Sequence, residues 1–184
     1  TVEAGTAFGD RYQAGKLTGL PSEDLSADMY QLTQDICEAN YINRYEVSNH
    51  ATDGNESRHN LIYWRYGDYI GIGPGAHGRI TINGTRLAVE QKLIPSEWLS
   101  NTSRETREVL TGKEQASEFL LMGLRLREGI NKNRYSSLSG YPLNQNRIAD
   151  LIDLNFIQDK NGIISTTKQG FNVLNSILRT LLEV

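Results

Sequence analysis

The apolar positions of this chain follow two periods, and the change between them outlines its organisation. Leu25, Met29, Leu32 and Ile36, continued by Ala39, recur at intervals of three and four residues, the spacing that gathers side chains on one face of a helix. Ser22 is an N-cap candidate after Pro21, Glu23 and Asp24 suit a first helical turn, and the helix is expected to end near Asn40. The stretch from Gly5 to Gly19, rich in glycine and polar residues, reads as an exposed loop or connector. Arg44 to Ser48 then reads as a strand, and Ala51 to Ser57 as a polar loop leading to His59.

From Asn60 onward both periods are present. Leu61, Tyr63 and Arg65 alternate with Ile62, Trp64 and Tyr66, while His59 and Tyr63 are four apart, and this second spacing predicts a short helical turn capped at Gly67. Asp68 to Gly73 is predicted as a strand, followed by a Pro-Gly turn. The pair Asn83-Gly84 predicts a hairpin joining His77–Ile82 to Thr85–Val89. Lys92 to Gly112 is polar, with Pro95-Ser96-Glu97 as a helix start.

Beyond Gly112 the helical period dominates. Phe119, Leu120, Met122, Leu124 and Leu126 predict a long helix over Glu114 to Arg127, followed by short helices across Lys132 to Leu138 and Asn144 to Leu154. Asn161-Gly162 predicts a hairpin within Phe156 to Ile164, and Thr167 can cap a terminal helix carrying Phe171, Leu174, Ile177, Leu178 and Leu181. The expected class is α+β, with a strand and hairpin part over residues 1–112 and a mainly helical, winged-helix-like part over residues 113–184.

Composition narrows the function. The 184 residues are 38% hydrophobic, enough for a core, and no apolar run approaches the roughly 20 residues of a membrane span. A formal net charge of -3 argues against general nucleic-acid binding. From Lys113 onward nine Lys/Arg face seven Asp/Glu, without the clustered basic face that a DNA-binding winged helix uses. The lone cysteine, Cys37, excludes an internal disulfide framework, agrees with a cytoplasmic setting, and on its helix reads as a small apolar residue. The three histidines and Cys37 show no local zinc-ligand spacing.

Candidate chemistry concentrates in Arg58 to His77, which holds two of the three histidines and one of the two tryptophans. The His59 imidazole can donate a nitrogen lone pair to iron, Tyr63 and Trp64 offer planar faces, and Arg58 and Arg65 can pair with carboxylates. Each residue also has a structural reading: His59 bonded to a backbone carbonyl, and Tyr63 and Trp64 as core anchors. Asn60 can cap the turn or orient the imidazole. His77 beside three glycines reads as structural. Gly71-Ile72-Gly73-Pro74-Gly75 reads as tight-turn geometry rather than a phosphate loop, because Pro74 removes an amide and a strand follows.

The same residues carry a resemblance. His59-Asn60-Leu61-Ile62-Tyr63-Trp64 resembles the HNxxYW motif of the HemW-type heme chaperones, relatives of the oxygen-independent coproporphyrinogen III oxidases in the radical S-adenosylmethionine superfamily. Tyr45-Glu46-Val47-Ser48-Asn49 is similar to that family's YEISN, although His50 departs from the aromatic residue that usually follows. Tyr66 to His77 is similar to its YGDYLGIGPGAHS. Weaker likeness extends to Glu3-Ala4-Gly5-Thr6-Ala7-Phe8, Asp28-Met29-Tyr30 and Leu124-Arg125-Leu126-Arg127-Glu128-Gly129-Ile130.

The resemblance implies the C-terminal part of a longer polypeptide whose barrel carries a [4Fe-4S] cluster, on a C-x3-C-x2-C motif, and S-adenosylmethionine. One cysteine cannot build that cluster, so the chain alone is expected to be inactive as a radical enzyme. Residues 1–112 would complete and extend the barrel, whose other half is absent, and an uncovered apolar face would favour self-association. His59, Asn60, Tyr63 and Trp64 would bind heme, with His59 as iron ligand, for delivery to heme-acceptor proteins such as respiratory enzymes. The alternatives are a piece of a coproporphyrinogen III oxidase and a non-catalytic winged-helix binding module.

Overall fold

The computed structural model describes Val2, residues 4–100 and residues 105–182; Glu3 of the N-terminal resemblance lies outside the described residues. The chain divides into two compact units, Thr1–Asn43 and Arg44–Val184.

The first unit holds helices α1 (Ala7–Gln13) and α2 (Glu23–Ala39). α1 replaces the loop expected between Gly5 and Gly19. Its start is a side-chain cap, Thr6 Oγ1 accepting the Gly9 N–H at 3.0 Å, a signal hidden by the surrounding glycines. α2 begins as expected, with Ser22 Oγ accepting the Leu25 N–H at 3.2 Å, and ends at Asn40. Its apolar face stays open: Leu25, Met29, Leu32 and Ile36 are each at least 50% exposed.

The second unit begins within the short strand β1 (Asn43–Arg44), which β2 (His50–Ala51) follows. The strand expected over Arg44 to Ser48 stops early, because Glu46 turns inward. Its carboxylate, 1% exposed, accepts the Ser48 N–H and the Asn49 side-chain amide, bonds that compete with a ladder. Helix α3 (Arg58–Trp64) follows. It leaves through Tyr66 at φ 57°, so the left-handed position falls on a tyrosine and not on the expected Gly67.

Strands β3 (His77–Ile82) and β4 (Thr85–Gln91) form the expected hairpin, with Ile82 opposite Thr85 and both turn residues at positive φ, Asn83 49° and Gly84 78°. Helix α4 (Pro95–Ser100) precedes β5 (Glu105–Val109), which completes an antiparallel sheet of order β3-β4-β5. β5 was not legible in a segment read as polar. The strand expected over Asp68 to Gly73 is reduced to one bridge, Tyr69 to Arg79. Beyond it the chain crosses β3 so closely that a Cβ on Gly71 would lie 2.2 Å from the His77 carbonyl oxygen.

The core lies in the last part. Helices α5 (Gly112–Gly123), α6 (Lys132–Ser139) and α7 (Gln145–Asp153) surround a small antiparallel sheet of β6 (Ile130–Asn131), β7 (Ile157–Lys160) and β8 (Ile163–Thr166), in the order β6-β8-β7. α5 opens on a capping box between Thr111 and Glu114 and stops at Gly123, short of the expected Arg127. The terminal helix is two pieces, α8 (Lys168–Asn172), capped by Thr167 as expected, and α9 (Leu174–Leu182). Phe119, Leu120, Leu124, Ile130, Ile148, Ile164 and Ile177 fill the interior, and Tyr66 joins them from the first half of the unit.

A polar network accompanies Tyr66 into this core. The Tyr66 hydroxyl donates to Glu118 Oε2 at 2.9 Å, and Arg79 from β3 pairs with the same carboxylate at 2.7 Å. Arg86 from β4 lies over the Tyr66 ring at 3.8 Å and pairs with Asp68. Arg134 from α6 donates to the carbonyl oxygens of Arg65 and Tyr66 at 3.1 and 3.4 Å. Burial works to raise the Glu118 pKa, but the bonds from Arg79 and Tyr66 prevail and hold it below its ordinary value.

A depressed carboxyl pKa means stability that is present above the unfolded value, about 4.3, and is lost as pH falls through the lower folded value. Glu118→Gln is therefore expected to cost about 1–3 kcal/mol near pH 7, with the difference from the parent chain closing below about pH 4. Urea unfolding across pH checks this, and a difference that does not change with pH would contradict it. Gly129, at φ 72°, has no room for a Cβ, which would lie 2.1 Å from the Ile164 carbonyl oxygen, so Gly129→Ala is expected to lose at least about 2 kcal/mol in the same assay.

Candidate functional site

Helix α3 carries the four residues singled out as a site. Ser57 starts it, its Oγ accepting the Asn60 N–H at 3.3 Å, and the helix is only seven residues long. So short a helix has little stability of its own. Its placement comes from contacts at both ends. At the exit, Arg65 makes a two-point pair with Glu128, at 2.8 and 2.7 Å, and Arg134 holds the carbonyls of Arg65 and Tyr66. Near the entrance, Asn60 Nδ2 reaches the Tyr45 hydroxyl at 3.4 Å, while the Tyr45 carbonyl accepts the Arg127 N–H at 3.0 Å.

The helical period sorts the four residues onto two faces. His59 and Tyr63 share one, with the Tyr63 hydroxyl 3.1 Å from His59 Nε2 and the rings edge to face at 4.8 Å. Tyr63 continues the aromatic run to Tyr69, ring centroids 4.4 Å apart. Tyr69 is itself fixed by paired backbone bonds to Arg79, at 2.7 and 2.9 Å. His59 is exposed, whereas Tyr63 and Tyr69 are half-buried. Asn60 and Trp64 occupy the neighbouring face, toward the segment after α5, where the Arg125 guanidinium lies 5.7 Å from the Trp64 ring. Burial lowers the Arg125 pKa from its ordinary value.

This arrangement offers an exposed imidazole on a helix held at both ends, beside two aromatic rings. That is a donor set suited to one axial bond to a flat metal complex. Among the described residues no group of three or more His, Cys, Asp or Glu could hold a bare metal ion. His77 starts β3 opposite Glu90 and is exposed. Cys37 is half-buried on α2. Tyr45, Tyr69, Glu118, Glu128 and Arg134 were not assigned a role from sequence. Tyr45, Tyr69 and Glu128 lie inside the quoted segments, but Glu118 and Arg134 are placed by long-range contacts that leave no local pattern.

The HemN C-terminal domain family matches residues 110–173. The chain is 34% identical to "Heme chaperone HemW" of Bacillus subtilis over 98% of its own length and 48% of that protein. It is 33% identical to "Radical S-adenosyl methionine domain-containing protein 1, mitochondrial" of Danio rerio, over 99% of its length and 44% of that protein. It thus spans about half the length of the curated relatives it matches. The solved structure of coproporphyrinogen III oxidase (HemN) from Escherichia coli, a radical SAM enzyme, superposes on 89% of the chain and 42% of that structure with a TM-score of 0.62 at 14% identity, a likeness of fold. Near-complete coverage by the HemW relatives, the HemN domain match and the shared fold agree, and the chain belongs to the HemW/HemN family, corresponding to its C-terminal part.

Proposed function

We propose that this chain is the heme-holding C-terminal portion of a heme chaperone, which binds heme and delivers it to acceptor proteins such as respiratory enzymes. The observation that carries the reading is the exposed His59 imidazole on α3, a helix clamped through Arg65, Tyr66 and Asn60 so that the ring is presented at a fixed place. His59 would hold the heme through its imidazole nitrogen, Tyr63 would orient that imidazole before heme binds, and Asn60 and Trp64 would seat the helix behind it. Bound heme supplies the iron that this nitrogen coordinates. Arg58, at the start of α3, is available to a propionate carboxylate.

In the same proposal, residues 1–112 complete and extend a radical SAM barrel that carries the [4Fe-4S] cluster and S-adenosylmethionine in the longer, cytoplasmic protein. The exposed α2 face supports this, since Leu25, Met29, Leu32 and Ile36 lack cover, and it would promote self-association of the chain alone. Residues 113–184 form a winged-helix-like module, supported by three helices followed by the β7–β8 hairpin with β6 alongside. Three of its cations are engaged by other groups of the chain: Lys132 pairs with Asp159, Arg134 holds the α3 exit, and Arg147 donates to the Thr180 carbonyl at 3.1 Å. A packing and partner-docking role follows, and no retardation of duplex DNA is expected in a low-salt gel-shift assay. The oxidase alternative shares the fold but draws no support from the HNxxYW residues. No helix of the described residues is long and apolar enough to cross a membrane.

Titration of hemin into the chain and into His59→Ala, followed by the Soret band, tests the proposal. Saturable binding with a shifted band is expected for the parent chain and its loss is expected in His59→Ala. Equal spectra and affinities for both proteins would remove His59 from the site.

A further inference from the structure

The Tyr63 hydroxyl lies 3.1 Å from the Nε2 of His59, a contact made within one helical turn. The lone pair of an imidazole nitrogen accepts a hydrogen bond or binds a metal, and it does not do both at once. Of the two residues, Tyr63 is the anchored partner. Its ring meets Tyr69 at 4.4 Å and 75°, and Tyr69 is bonded through both backbone groups to Arg79, whereas His59 is exposed. The hydroxyl is therefore held within hydrogen-bond distance of the exposed imidazole's Nε2.

Building on the heme-holding reading above, we propose that Tyr63 is a positioning residue that caps His59 Nε2 in the ligand-free chain, and that heme is taken up and released by exchange of this hydrogen bond against the bond to iron. The cap has two effects. With the Tyr63 O–H donating, the neutral imidazole keeps its proton on Nδ1 and presents the Nε2 lone pair ready for a metal. The same hydroxyl also competes for that lone pair, so it offsets part of the ligand bond and gives Nε2 a partner when the heme departs. A carrier benefits from such an internal competitor, because its cargo has to leave.

Tyr63→Phe separates these effects from packing, since it keeps the ring and its contact with Tyr69. In the ligand-free chain, long-range nitrogen–proton NMR of His59 is expected to show the Nδ1–H tautomer in the parent and a shift toward Nε2–H in Tyr63→Phe. Hemin is then expected to bind Tyr63→Phe about two- to tenfold more tightly, the worth of one ordinary hydrogen bond, and to pass more slowly to an apo-globin acceptor. An unchanged tautomer, or equal or weaker hemin binding by Tyr63→Phe, would overturn the cap while His59→Ala still abolished binding. Identical hemin binding by the parent and His59→Ala would instead remove His59 from the heme-holding site, and ligand exchange at Nε2 with it.

Discussion

The left-handed turn at Tyr66 is the constraint on which the candidate site depends. A tyrosine at φ 57° carries a backbone cost of roughly 1–2 kcal/mol, which local sequence does nothing to relieve. What offsets it lies far away in the chain. The ring is buried against Phe119 and covered by Arg86, while the hydroxyl donates to Glu118 on α5. Burial and the Glu118 bond push the tyrosine pKa well up, so the phenol stays protonated as a donor. Once Tyr66 is seated, the exit of α3 is fixed and a seven-residue helix acquires a definite direction.

Two consequences follow for the α3 side chains. The face bearing Asn60 and Trp64 is turned to Tyr45 and Arg125, so those residues bear on where the helix lies. On the face bearing His59 and Tyr63, half-buried Tyr63 backs the exposed His59, so those residues bear on what the helix can bind. A motif that looks like one cluster in sequence is thus divided in space into a support half and a presenting half. The pattern i, i+4 decides the division, because it places residue 59 with 63 and residue 60 with 64.

Elements governed by short-range chemistry were legible in the sequence. The turns at Asn83-Gly84 and Asn161-Gly162 specified both hairpins, and Ser22 and Thr167 announced helix starts that the structure contains. Elements governed by distant partners were not. Glu46 folds inward because its carboxylate finds Ser48 and Asn49, and the strand expected there is cut short. Gly67 was the natural candidate for the end of α3, yet the core contacts of Tyr66 outweigh glycine's backbone advantage. The motif residues of the site were visible, whereas their supports at Glu118, Glu128 and Arg134 lie 52 to 69 positions from their partners.

Family membership and local geometry bear on different questions. The HemW/HemN relationship covers nearly all of this chain and only about half of its curated relatives, so chemistry that belongs to the other half is argued from outside these residues. The claim that belongs to this half is a single coordinate bond from His59 Nε2 to iron. Resonance Raman spectroscopy of the reduced heme complex, prepared with and without nitrogen-15-labelled histidine, reads that bond directly. An iron–histidine stretch that shifts with the label and disappears in His59→Ala is the result this account predicts. A stretch that persists unchanged in His59→Ala would contradict it, since the axial nitrogen would then come from another residue.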